Sequence, residues 1–99
     1  MNVKVDKKRT FLLLRLFILK SLSTGTKSIN QIAKEHGMNW KTVELHLTHL
    51  VGKGYAREVF NSQYVRLFVL TEHGKNYFAE AQNPIAHPEE NLEVMLRKP

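Results

Sequence analysis

The stretch SINQIAKEHGMNWKTVELHLTHLVGKG, Ser28 to Gly54, decides the fold. Ser28 and Gln31 stand in the S-x-x-Q spacing of a capping box, in which each side chain accepts the other residue's otherwise orphaned backbone N–H. A helix opened there carries Ile29, Ile32 and Ala33 on one face at i, i+3, i+4, and Gly37 can take the left-handed conformation that ends it. Asn39 then caps a further helix, which runs to about Lys53 with Gly54 as its stop signal. Two short capped helices joined by a tight Gly-containing turn make a helix-turn-helix.

Upstream, the sequence reads as helix from about Lys7 to Ser23, Leu-rich and without Gly or Pro. Its apolar residues, Phe11 to Leu14, Leu16 to Leu19 and Leu22, go nearly all the way round the helical wheel. Such a helix is buried on both sides within the domain, or packs one side on a second copy of the chain. The small size of the domain favours the second copy. Downstream, Tyr55–Phe60 and Tyr64–Leu70 are aromatic and β-branched, with Asn61, Ser62 and Gln63 as the turn of a β-hairpin. Thr71 caps a fourth helix bearing Tyr77, Phe78 and Ala81, which Pro84 ends. The expected fold is therefore α+β and mostly helical: a winged helix-turn-helix with a three-helix core, a two-stranded β-hairpin wing and a C-terminal helix. Residues 1–9 form a basic tail, 10–82 the domain, and 83–99 an extension with the makings of a short helix.

Composition narrows the function. The chain has 99 residues, 42% of them apolar, enough for one core. It has no cysteine, which excludes disulfides, thiolate metal sites and thiol nucleophiles and points to a reducing, cytoplasmic setting. The longest apolar run, Phe11 to Leu19, is interrupted by Arg15 and falls short of the roughly 20 residues of a membrane span. No membrane partner is expected. The net charge is +6, and the basic residues are concentrated upstream: residues 1–79 hold 13 Lys/Arg against 5 Asp/Glu, whereas the last twenty hold 2 against 4. A basic domain gains on nucleic acid by releasing the counterions condensed on phosphates. No Gly-rich phosphate loop is present and the serines sit in turns and caps, so an enzyme is not expected.

The segments IAKEHGMNWKTVELHLTHLVGKGY and LTEHGKNYF, within Ile29 to Phe78, resemble the DNA-binding domain of the ArsR/MarR superfamily of transcriptional regulators. The resemblance implies that the run Thr42 to Leu50 is the recognition helix, that Gly54-Tyr55 begins the wing and that Leu70 to Gly74 joins the wing to the last helix. It also implies a homodimer on a near-palindromic site in double-stranded DNA. No cofactor is expected from the residues present.

Periodicity agrees. Val43, His46, Leu47 and Leu50 share one face of the helical wheel and should point to the core. The other side carries Lys41, Thr42, Glu44, Leu45, Thr48 and His49, with Asn39 and Trp40 at its start. Lysine and threonine can reach bases or phosphates, and a leucine can pack on thymine methyls. Glu44 is awkward beside phosphates: it accepts from a cytosine amine, restrains Lys41, or is a surface charge. Trp40 packs on the preceding helix or stacks on the backbone. Lys27 and Ser28 at a helix start, and Arg57, Asn61, Ser62, Gln63 and Arg66 on the wing, are the candidate phosphate or minor-groove contacts. A three-residue turn would set Glu58 opposite Arg66, a two-residue turn Arg57 opposite Arg66. The second hairpin strand is apolar on both faces, so an added element, the N-terminal segment or the chain after Pro84, should cover it. A dimer would use Leu12, Leu13, Leu16 and Phe17 with Leu92 and Leu96. Two rivals stay open: a winged helix that binds protein, for which Leu45 speaks, and a metal sensor using His46 and His49, or His87 with Glu89 and Glu90.

Overall fold

A computed structural model describes residues 7–82. The elements run α1 (Lys7–Ser23), β1 (Lys27–Ser28), α2 (Ile29–His36), α3 (Trp40–Gly52), β2 (Ala56–Asn61), β3 (Arg66–Leu70) and α4 (Glu72–Ala81). The starts of α2, α3 and α4 are set by side-chain caps. The Ser28 hydroxyl accepts from the Gln31 N–H at 3.1 Å while the Gln31 side chain accepts from the Ser28 N–H at 2.8 Å. Asn39 Oδ1 accepts from the Lys41 N–H at 2.8 Å, and Thr71 Oγ1 from the Gly74 N–H at 2.9 Å. Gly37, at φ 61°, closes α2 in the left-handed region that a glycine enters without strain.

The wing is part of a three-stranded antiparallel sheet in the order β1-β3-β2, not a two-stranded hairpin alone. Strand β1 adds only two pairs, Lys27 with Phe68 and Ser28 with Leu67. It makes β3 the central strand, with Phe68 buried while Leu67 and Val69 stay only half-buried. The N-terminal segment was one expected cover: α1 packs against β3, and residues 1–6 lie outside the described residues. The other expected cover, the chain after Pro84, lies outside the described residues.

Helix α1 is the centre of the domain. It packs against α2, α3, α4 and β3, and Leu16, Ile18 and Leu19 are completely buried. Burying each such side chain contributes about 1.5–3 kcal/mol. Leu16 is thus enclosed within one chain, which corrects the expectation that it lies in a dimer interface, whereas Phe11 on the same helix is 42% exposed. Leu12, Leu13 and Phe17 are half-buried against the same core, and Leu92 and Leu96 lie outside the described residues. Helix α1 begins at Lys7, as read, and so includes the last residues of the basic tail.

Two features hold the wing to α4. The Tyr55 carbonyl accepts from the Thr71 N–H at 3.1 Å, and Gly74 lies against that same carbonyl. A Cβ at Gly74 would overlap the Tyr55 oxygen, so glycine is needed for the close approach rather than for its dihedral freedom.

Candidate nucleic-acid interface

Helix α3 has the two sides the sequence implies. Val43, His46, Leu47 and Leu50 are buried. The His46 ring meets Phe11 edge-on at 5.2 Å, and its Nδ1 accepts from Arg15 Nε at 3.2 Å. Burial, reinforced by the Arg15 cation, pushes the His46 pKa below the ordinary histidine range. Because Arg15 Nε can only donate, the His46 nitrogen facing it acts as the acceptor, a role open to the neutral ring. His49 is half-buried and shifted in the same direction, chiefly by burial. On the outer side Lys41 and Thr48 are exposed and Leu45 is 64% exposed, while Thr42 and Glu44 are half-buried. The Thr48 hydroxyl donates to the Glu44 carbonyl at 2.9 Å, so toward a base edge it offers lone pairs and a methyl group.

Glu44 is answered by a residue that periodicity could not bring to it. Arg66 Nη1 donates to Glu44 Oε2 at 3.0 Å, linking α3 to the wing. The other edge of the same guanidinium holds Glu58, with Nε to Oε2 at 2.7 Å and Nη2 to Oε1 at 3.3 Å. Glu58 lowers its pKa through this hydrogen bond to Arg66, and the Arg66 pKa rises in turn. Arg66 also lies over the Phe68 ring, 5.2 Å from its centroid. Neither expected register is observed. Asn61 is opposite Arg66, Phe60 opposite Leu67 and Glu58 opposite Phe68, with an irregularity between Glu58 and Phe60 that leaves Val59 unpaired. Glu58 and Arg66 are diagonal neighbours on one face, close enough for two long side chains to pair. Arg57, opposite Val69, points to the other face, is exposed and makes no ion pair among the described residues.

The wing tip is a hydrogen-bonded turn. The Ser62 N–H donates to the Val65 carbonyl at 2.9 Å, and the Ser62 hydroxyl oxygen accepts from the N–H groups of Tyr64 and Val65. Ser62 thus builds the turn and is not a free donor to phosphate, and the Asn61 side-chain amide is directed to Glu58 at 3.0 Å. Gln63 remains exposed. Tyr64, absent from the sequence candidates, is 84% exposed. Its signal was an aromatic residue directly after turn residues, at a place the sequence assigns to a strand.

Two further candidates are already engaged within the fold. Lys27 is paired with Glu35 at 2.6 Å, and Ser28 is 8% exposed with its hydroxyl and N–H both used in the capping box. Trp40, for which packing on the preceding helix was one of two readings, is 49% exposed. It lines a cleft of about 430 Å³ with Asn30, Glu44, Gln63, Tyr64 and Arg66, so the start of α3 and the wing tip flank one open space. Among the described residues no group of three His, Asp or Glu could hold a metal ion. His87, Glu89 and Glu90 lie outside them. No helix among the described residues is long and apolar enough to cross a membrane.

Residues 14–58 match the family described as "Bacterial regulatory protein, arsR family". No curated protein matches the chain significantly. Among solved structures, the transcriptional regulator BldR from Sulfolobus solfataricus superposes with a TM-score of 0.68 at 21% identity, over 84% of this chain and 56% of that one. The YusO protein from Bacillus subtilis gives 0.65 at 23%, over 85% and 57%. The zinc-responsive MarR family member ZitR from Lactococcus lactis gives 0.61 at 22%, over 97% and 62%. This chain thus spans less than two thirds of each neighbour, and identities of this order establish the winged-helix fold alone.

Proposed function

We propose that this chain, which carries a winged helix-turn-helix of the ArsR/MarR kind with residues 14–58 as its arsR-type core, is a sequence-specific double-stranded DNA-binding transcriptional regulator. Helix α3 enters the major groove and the wing lies on the adjacent backbone or minor groove. The observation that carries this reading is the shared cleft: the start of α3, through Trp40 and Glu44, and the wing tip flank one space, the arrangement a helix in one groove and a wing across the adjacent strand require. Lys41, Thr42, Leu45 and Thr48 are the base-facing group, with His49 at its edge. Lys41, Arg57, Gln63 and the backbone at Asn39 are the phosphate contacts, and Trp40 and Tyr64 offer apolar surface to sugars. Two such domains in a homodimer would read a near-palindromic site. This part rests on the family resemblance, with Phe11 as the exposed apolar residue of α1.

The test is titration of a fluorescent duplex at several salt concentrations. Affinity should fall steeply between about 50 and 200 mM salt, as it does when several phosphates are neutralised. Binding indifferent to salt and to Lys41→Ala and Arg57→Ala would contradict the reading. Light scattering at micromolar concentration tests the dimer, and a monomer mass would remove it.

A further inference from the structure

The cleft between α3 and the wing places an acidic residue where DNA would be. A duplex separates its major from its minor groove by a sugar-phosphate strand, so a helix in one groove and a wing beyond it straddle that strand. Among the residues that line the cleft, the charged side chains are Glu44 and Arg66, which are bonded to each other. The bonding of Arg66 is uneven. Glu58 takes two of its N–H groups, one at 2.7 Å, and Phe68 lies beneath its plane, so the guanidinium is held in place without help from α3. Glu44 takes a third N–H through a single bond of 3.0 Å, with its own side chain 42% exposed.

We propose that Glu44 is a displaceable lock on a phosphate ligand: the DNA strand crossing the cleft takes Arg66 Nη1 from Glu44 while Glu58 keeps the guanidinium in position. The proposal rests on the DNA-binding reading above and deepens it by naming what the cleft holds. The physical reasons are two. A phosphate is a bidentate acceptor matched to a guanidinium edge, whereas Glu44 uses one oxygen on one N–H. A carboxylate left beside that phosphate is repelled, so strand entry and release of Glu44 favour each other. The lock sets a cost on every DNA encounter, which complexes with full base contacts can meet and loose non-specific ones meet poorly.

The experiment is a double-mutant cycle on the full chain, with a random-sequence duplex as probe and anisotropy as readout. If Glu44 is displaced, Glu44→Ala tightens binding when Arg66 is present, by roughly two- to fivefold, the range set by breaking one partly exposed ion pair. The gain is smaller in an Arg66→Gln background, where there is nothing to unlock. A clamp that stays closed on DNA gives the opposite sign: Glu44→Ala is neutral or harmful with Arg66 present, and helps most with Arg66→Gln, where a lone carboxylate faces the phosphates. That result overturns the proposal while leaving the DNA reading intact. Absence of salt-dependent duplex binding by the unsubstituted chain overturns both. Circular dichroism establishes that each variant is folded, and Arg66→Lys, which keeps the charge but loses the two-point hold on Glu58, replaces Arg66→Gln if that variant unfolds.

Discussion

Replacing Gly74 by alanine tests how the wing is fastened to the domain. The added methyl group would overlap the Tyr55 carbonyl oxygen and approach Leu70 Cδ1 to 2.9 Å. The first obstacle is backbone, and that carbonyl is already fixed by the Thr71 N–H, so a rotamer change cannot relieve it. Overpacking of this kind costs about 1–3 kcal/mol, with rigid obstacles at the upper end, and the helix propensity of alanine over glycine returns up to ~1. The net expectation is a loss of about 2 kcal/mol, or roughly 8–16 °C in Tm for a domain of this size. Gly52→Ala is the matched control. It lies in the last turn of α3, and an added Cβ there meets nothing within 4 Å, so it should gain ~0.4–1 kcal/mol from the reduced freedom of the unfolded chain. Thermal melts of both variants by circular dichroism make the comparison. Gly74→Ala melting at or above the unsubstituted protein would refute the close-approach argument, and a Gly52→Ala variant equally damaged would show that propensity and sterics are misassigned.

Three further outcomes are expected. Stability should fall as pH drops: His36, His46 and His49 all have pKa values lowered in the fold, chiefly by burial, so unfolding takes up protons. Their contribution is fully present above the unfolded histidine value of about 6.5 and is lost as pH falls below it toward the folded values. His46→Gln, which keeps an acceptor for Arg15 but cannot titrate, should flatten this dependence in Tm measured from pH 7.5 to 5.5; an unchanged slope would exonerate His46. Ser28→Ala removes the capping box of α2 and should cost ~1 kcal/mol in urea unfolding, with no loss meaning that β1 alone orders this start. Lys41→Ala and Arg57→Ala should each weaken duplex binding and lower the salt slope by about 0.9 per lost phosphate contact; slopes identical to the unsubstituted chain would remove those residues from the interface.

What the sequence disclosed and what it withheld divide along sequence separation. Caps at Ser28, Asn39 and Thr71 bond two to three residues away, so the helix starts could be read locally. The buried side of α3 followed from its periodicity. By contrast β1 is two residues long, too short to show any alternation, and its pairing with β3 spans some forty residues. The irregularity at Val59 shifted the register on which every cross-strand expectation depended. The Glu44–Arg66 bond joins residues 22 positions apart, and no pattern within α3 could point to it. The all-round apolar surface of α1 was legible, but its cause was not. A residue enclosed within the chain and one free to meet a second copy look alike in composition, and only packing separates Leu16, fully buried, from Phe11, which stays exposed.

The central claim is that α3, held against the wing, reads bases in duplex DNA. Selection of bound sequences from a pool of random duplexes tests it most directly. The account predicts an enriched motif, and a Leu45→Ala variant that loses preference at one or two of its positions while keeping the rest. Enrichment of no motif, or a motif unchanged by substitution anywhere on the exposed side of α3, would contradict it.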